Sequence, residues 1–324
     1  MPNPCRSYSN NFVSPMRHSE SSMTFLKEFS VLTEFDEEHN CKIQSLIVLK
    51  SGAIIVADIK NGLTKVFDME GTYLDSVHNG GRVFGLTVIG DTKFAVTING
   101  RKQIAFYELV NGKLKLVNLV NTDRRYFGIA RHPNGNLIVG TKEVLNLMTP
   151  EAETIGRMTS QVDFVNPYHI CVTKAGSVVV VDSEKVCIVV FDSDGYVQRQ
   201  IHVGYLYLRG IAVTDEVIFF VNNAKDHVFM ISMNEDHVTR IYGNEKKLNK
   251  PTALCVLPDG KLIISEEEVI KIFKIDKYHE ITASYISKLR TFKSFISSLP
   301  WRHVSDTIGL QGFLEIVHAV CVYI

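Results

Sequence analysis

Apolar and polar positions follow one another along this chain in short blocks, and the same block recurs. A short apolar run leads into a turn with Gly or Asp. A second apolar run, a polar loop, a third apolar run and an acidic turn follow. Clear copies are LIVLKSGAIIVADIKNGLTKVFDMEGTYLDSV, Leu46 to Val77, and ICVTKAGSVVVVDSEKVCIVVFDSDGYVQRQI, Ile170 to Ile201. Short runs rich in Val and Ile and bounded by turn residues predict strands. Landmarks at Leu46, Phe84, Phe127, His169, Arg209 and Thr252 recur at steps of roughly 38–43 residues, a spacing typical of propeller blades. The pattern predicts an all-β fold, a six-bladed β-propeller.

Within the first repeat LIVL, AIIVAD, TKVFD and TYLDSV read as four strands. Gly52 and Gly71 stand where tight turns need a residue without a Cβ. The inner runs are apolar throughout, as expected of strands covered on both faces by neighbouring blades. The sixth repeat offers only three strands, Ala253–Leu257, Lys261–Ser265 and Val269–Ile275. The missing strand is expected from the other end of the chain, where Leu26–Phe35 (LKEFSVLTEF) reads as a lone strand. Paired beside Val269–Ile275, it would close the ring and remove an exposed edge. The expected organisation is a disordered tail over 1–23, where Ser, Asn and Pro dominate, then a propeller over 24–276. An irregular C-terminal segment, 277–324, breaks the pattern and holds the single tryptophan, Trp301.

Composition narrows the functional classes. The 324 residues carry no net charge, 45% are hydrophobic and 22% charged, ordinary values for a soluble globular chain. No whole-molecule field draws it to nucleic acid or membrane, so neither DNA nor a membrane is expected as a partner. Six cysteines form no C-x-x-C pair, and Cys171, Cys187 and Cys255 lie inside apolar strands. They read as small buried hydrophobes in a reducing compartment. The first residues lack the apolar core of a signal peptide. No run approaches the roughly 18 apolar residues of a membrane helix. The expected location is cytoplasmic.

Candidate chemistry comes from the loops. With blade strands ordered a to d outward from the channel, the d–a loops and b–c loops share one face. The c–d turns lie on the other and are acidic: Asp68 with Glu70, Asp192 with Asp194, Glu235 with Asp236. The d–a loops are basic and aromatic. The candidate binding residues are Arg82, Phe84, Arg124, Arg125, Tyr126, Phe127, Tyr207, Arg209 and Lys250, with Lys246 and Lys247 beside the last. Convergent Arg and aromatic side chains suit an acidic peptide or protein, or single-stranded RNA. The b–c loops are mixed, Arg101 and Lys102 being offset by Asp182, Glu184 and Glu266 to Glu268.

No nucleophile elbow, Walker loop, H-E-x-x-H or EF-hand loop is present, and no catalytic residue, metal or cofactor is expected. His78, His132, His169 and His202 show no ligand spacing. Asp58 and Asp182 end strand b in two blades, where Thr97, Gly140, Asn222 and Ser265 stand in the others. That mixture points to turn capping. The competing enzyme class is a metal-dependent hydrolase of the six-bladed lactonase type. It needs Glu, Asn and Asp converging on a divalent ion in the channel, whereas the strand-a entries here supply Arg, Tyr and Phe.

The units AIIVADIKNGLTKVFDMEGTYL and SVVVVDSEKVCIVVFDSDGYVQ resemble NHL repeats through Ala57-Asp58 with Phe67-Asp68 and Gly71, and through Asp182 with Phe191-Asp192 and Gly195. The resemblance covers about residues 24–276. FLKEFSVLTEFD followed by this propeller is similar to the C-terminal part of invertebrate tripartite-motif (TRIM-like) proteins. The resemblance implies a module that selects protein or RNA cargo for ubiquitin ligation, with the ligase chemistry in a RING domain. This sequence has no RING, B-box or heptad run. Its second, third and fifth repeats lack the Asp and Gly landmarks, so no ligase activity is expected of the chain itself.

Overall fold

The computed structural model describes residues 18–37, 40–158, 162–203, 208–233, 238–243 and 247–276. The tail up to residue 17, Tyr207, Glu235, Asp236, Lys246 and the whole segment 277–324, with Trp301, lie outside the described residues. The chain divides into two units after Asp276, and every described strand belongs to the first.

Strand β1 spans His18–Ser30. Blade 1 is β2 (Ile43–Val48), β3 (Ile54–Asp58), β4 (Leu63–Phe67) and β5 (Tyr73–His78). Blade 2 is β6 (Val83–Val88), β7 (Lys93–Ile98), β8 (Gln103–Val110) and β9 (Lys113–Asn121). Blade 3 is β10 (Ile129–Arg131), β11 (Leu137–Gly140), β12 (Leu145–Met148) and β13 (Thr154–Met158). Blade 4 is β14 (Pro167–Val172), β15 (Val178–Asp182), β16 (Cys187–Phe191) and β17 (Val197–His202). Blade 5 is β18 (Leu208–Val213), β19 (Val217–Asn222), β20 (His227–Ser232) and β21 (Val238–Gly243). Blade 6 is β22 (Ala253–Val256), β23 (Lys261–Ser265) and β24 (Val269–Ile275), completed by β1. The result is six four-stranded antiparallel blades in a ring, and among the described residues no α-helix occurs.

The apolar runs mark strands buried on both faces. Every residue of β3, β4, β15 and β16 is buried. Ile55, Ala57 and Val66 of blade 1 pack with Phe94, Val96 and Tyr107 of blade 2. Similar clusters fill the clefts between blades 2 and 3, 3 and 4, 4 and 5, and 6 and 1. Each fully buried Val, Ile or Phe contributes about 1.5–3 kcal/mol relative to exposure.

The ring closes through β1, which pairs antiparallel with β24 from Met23 opposite Ile275 to Ser30 opposite Val269. The strand lies further toward the N-terminus than the expected Leu26–Phe35, and it begins inside the stretch read as tail. An outer strand buries little, so its backbone pairing rather than its apolar content fixes the register. Ser22 and Thr24 hydroxyls donate to the Asp276 carboxylate. Beyond Ser30 the chain turns, with the Asp36 carboxylate accepting from the Thr33 backbone N–H at 2.6 Å. The start of β1 also pairs in parallel with β21, His18 with Arg240 and Met23 with Gly243. One strand therefore links blades 5 and 6.

Candidate functional site

The innermost strands β2, β6, β10, β14, β18 and β22 touch in cyclic order around a channel of about 310 Å3. Ladder registers align the blades: Ile43 lies opposite Asp58, Val83 opposite Ile98, Pro167 opposite Asp182 and Leu208 opposite Asn222. The aligned entry positions are Gln44, Phe84, Phe127, Tyr168, Arg209 and Thr252. One residue further in comes a layer of small side chains, Ser45, Gly85, Gly128, Gly210 and Ala253, interrupted only by His169. The glycines are required by close approach. A Cβ on Gly85 would lie 2.6 Å from the Phe127 carbonyl oxygen, and one on Gly128 2.5 Å from that of Tyr168.

Three aromatic rings meet at the entry. Phe127 and Tyr168 stack with centroids 4.6 Å apart, and Phe84 stands edge-on to Phe127 at 5.0 Å and to Tyr168 at 6.0 Å. Such pairs contribute about 0.5–1.5 kcal/mol each beyond their buried area. The Thr97 hydroxyl donates to the Phe127 carbonyl at 2.6 Å and accepts from the Gly85 N–H at 2.9 Å, pinning two of the three strands.

The basic candidates lie just before the innermost strands, in the d–a loops, except Arg209, which is the second residue of β18. Arg82 and Arg125 are exposed and Arg209 is part-buried, none with an ion-pair partner among the described residues. Arg124 is paired with Asp123 at 3.3 Å. Lys250 is exposed, has a left-handed backbone, and donates its N–H to Asp226 at 2.6 Å. Tyr126 does not belong to the mouth. It is 2% exposed in the cleft between blades 2 and 3, its hydroxyl donating to Asp123 at 3.2 Å and accepting from the Asn146 amide at 3.0 Å. Successive residues of extended chain face opposite ways, so Tyr126 and Phe127 cannot share one site.

Electrostatics at the mouth follow from burial and Arg209. Burial pushes the Tyr168 hydroxyl up, with Glu184 adding to the effect and Arg209 opposing it. Burial first, then the Arg209 charge, lowers His169 to about 3, so its imidazole is neutral.

Strand-b ends cap turns. Asp58 accepts from the backbone N–H groups of Lys60 and Asn61, Thr141 from Glu143 and Val144, Asp182 from Glu184 and Lys185, and Asn222 from Ala224 and Lys225. Register makes Ile98, Thr141 and Glu266 the equivalents of Asp58, in place of Thr97, Gly140 and Ser265. Among the described residues no group of three or more His, Cys, Asp and Glu is arranged to hold a metal ion. Burial raises the free thiols of Cys41 and Cys171 to about 12 and those of Cys187 and Cys255 to about 11.

Sequence reasoning missed two features. Tyr168 went unnoticed because blade 4 has His169 where other blades have Gly or another small residue. Lys65, fully buried in β4, holds Asp36 at 2.5 Å and Asp58 at 3.0 Å and donates to the Val31 carbonyl at 3.1 Å. A lysine within the run TKVFD was the available signal, since buried cations require partners. Blade 6 repeats the device with Lys271 on Glu266 at 2.5 Å.

The fold is that of a six-bladed β-propeller, a scaffold whose function is a matter of its site and not of the fold itself. No protein-family model matches the chain, and no curated protein is similar to it in sequence. Solved structures are similar in fold. A streptogramin B lyase has a TM-score of 0.58 at 10% identity, covering 77% of this chain and 98% of that one. A Bacteroides thetaiotaomicron protein of unknown function has a TM-score of 0.62 at 11% identity, covering 77% and 76%. A Staphylococcus aureus virginiamycin B lyase with quinupristin, a histidine-to-alanine variant described as catalytically inactive, has 0.53 at 15%, covering 78% and 89%. At these identities the likeness is one of fold. No helix among the described residues is long and apolar enough to cross a membrane.

Proposed function

We propose that this chain is a non-enzymatic interaction module that takes an acidic segment of a partner protein at the channel mouth. What supports this reading is that Arg82, Arg125 and Arg209 stand at the starts of the innermost strands of their blades and have no ion-pair partners among the described residues. Carboxylates meeting these groups gain charge-assisted hydrogen bonds. Single-stranded RNA is the second reading. It is less favoured because Phe127 and Tyr168 spend their faces on each other and Phe127 is 8% exposed, leaving little platform for stacked bases. A metal-dependent hydrolase has less support, since the aligned strand-a entries contain no carboxylate. In the TRIM-like arrangement that the sequence resembles, such a cytoplasmic module would choose the cargo, and a RING domain would carry the ligation.

The test is crosslinking capture from native cells with the full chain and its Arg82→Glu/Arg125→Glu variant, with and without ribonuclease. A protein partner that survives ribonuclease and is lost from the variant, while the variant melts like the parent, supports the reading. Capture that vanishes with ribonuclease selects RNA, and capture unchanged in the variant moves the site away from the mouth.

A further inference from the structure

We propose that the loop-side end of the cleft between blades 4 and 5 is a carboxylate-binding site built from His169, Ser183, Asn222 and Arg209. It deepens the reading above, on which it rests for the source of the carboxylate, an acidic side chain of the partner.

The starting observation is a group of orphaned polar atoms. His169 Nε2, Ser183 Oγ and Asn222 Nδ2 are shielded from solvent and meet no hydrogen-bond partner among the described residues. Buried polar atoms in folded proteins nearly always have one, so three on neighbouring strands call for a missing water or ligand. They share a place by topology. His169 lies on β14 and Ser183 follows β15, and both strands touch β18. Strand β18 carries Arg209, and its Leu208 lies opposite Asn222.

Their chemistry is one-sided. Asn222 Oδ1 accepts from the Ala224 and Lys225 N–H groups at 2.9 and 3.0 Å, which fixes the amide and leaves its NH2 as the unused end. In blades 1 and 4 the equivalent side chains are Asp58 and Asp182, whose second oxygens also act as acceptors. Asp58 Oδ2 takes the Asn61 amide and Lys65, and Asp182 Oδ2 takes the Val165 N–H at 2.8 Å. Blade 5 alone of these three presents a donor there. The Arg209 guanidinium is donor-only, and a neutral imidazole and a hydroxyl can each donate. Water accepts at most two hydrogen bonds, whereas a carboxylate has about four lone-pair sites and a charge that matches Arg209. The carboxylates already nearby do not fill the role. Asp182 is occupied by the Val165, Asn166, Glu184 and Lys185 N–H groups, and Glu184 is exposed. His169 lines the channel, so entry is from that side.

The experiment follows the Asn222 amide and His169 imidazole signals by NMR in the full chain, titrated with sodium acetate against sodium chloride at equal ionic strength. A saturable response to acetate alone is expected. Asn222→Asp keeps the turn cap, as the natural Asp58 and Asp182 do, and so folds. It removes the NH2 donors and should weaken acetate at least tenfold, and Arg209→Gln about tenfold. Hexaglutamate should compete with acetate. An acetate response no different from chloride, or one intact in a folded Asn222→Asp variant, overturns the site. Inorganic phosphate binding more tightly than acetate overturns the carboxylate assignment. Acetate binding without any hexaglutamate binding keeps the site for a free carboxylate and refutes the partner reading, so the two failures separate.

Discussion

Replacing Lys65 with Met tests the link between ring closure and buried charge. Lys65 has no exposed side-chain surface, and neither do its partners Asp36 and Asp58. Asp36 lies on the segment that carries the chain from β1 into blade 1, so the ion pair fastens the closing strand's exit to the first blade. Methionine matches the lysine stem but strands two carboxylates away from solvent. Breaking a buried pair from one side costs about 3–5 kcal/mol. For a domain of this size that corresponds to a fall in melting temperature on the order of 10 °C. The pH dependence has a definite sign. Burial opposes the charged form of Asp58, but the Lys42 N–H, the Asn61 amide and Lys65 outweigh it and hold the carboxyl below its usual range. The stability Asp58 contributes is therefore present above the unfolded value of about 3.9 and is lost as pH falls through the lower folded value. Losing Lys65 removes one of the interactions that hold the Asp58 carboxyl down, so the deficit should be largest near neutrality and narrow on acidification. Calorimetry or circular dichroism from pH 7 to 4 measures both. A variant melting within about 2 °C of the parent at pH 7, or a deficit independent of pH, would refute the reasoning.

Removing residues 1–31 should lower the melting temperature sharply by unzipping β1 from β24, whereas removing 1–17 leaves the paired strand whole; equal melting of the two deletions would sink the closure argument. Gly128→Ala should cost about 1–3 kcal/mol in denaturant unfolding, because its Cβ would press on the Tyr168 carbonyl; a neutral result would mean that the inner layer can open. Millimolar calcium or magnesium should leave the melting temperature unchanged, and a saturable rise would favour the hydrolase class. Cys187 should react with thiol reagents only after denaturation at neutral pH, since it is fully buried and burial holds it near 11; rapid modification of Cys187 in the native chain would contradict its placement.

Blade number and strand positions were legible because strands packed on both faces leave unbroken apolar runs, as in AIIVAD, where Ala53 to Asp58 are all buried. The sixth blade's last two strands fall as expected at Lys261–Ser265 and Val269–Ile275. The closing strand was legible in existence but not in register, because its outer position leaves a weak apolar signal. At the mouth, Phe84, Phe127 and Arg209 could be aligned through the glycines that come after them. Tyr168 could not, since His169 replaces that glycine. Tyr126 was misplaced because composition cannot tell which of two neighbouring aromatics turns inward. The orphaned NH2 of Asn222 had no sequence signature, as Asn and Asp cap turns equally well.

The double pairing of β1 bears on how the chain is made. Thr24 meets Asp276 across 252 positions of sequence. At about 5–20 residues per second, a ribosome needs roughly 13–50 s to deliver the partner strand after β1 has emerged. Throughout that interval the nascent chain holds β1 unmated and a growing arc of blades with an open flank. Such long-range pairing makes the last step slow and leaves edges available to other chains. Blades 1 to 5 can assemble during translation, but the ring cannot be sealed until β24 has cleared the exit tunnel.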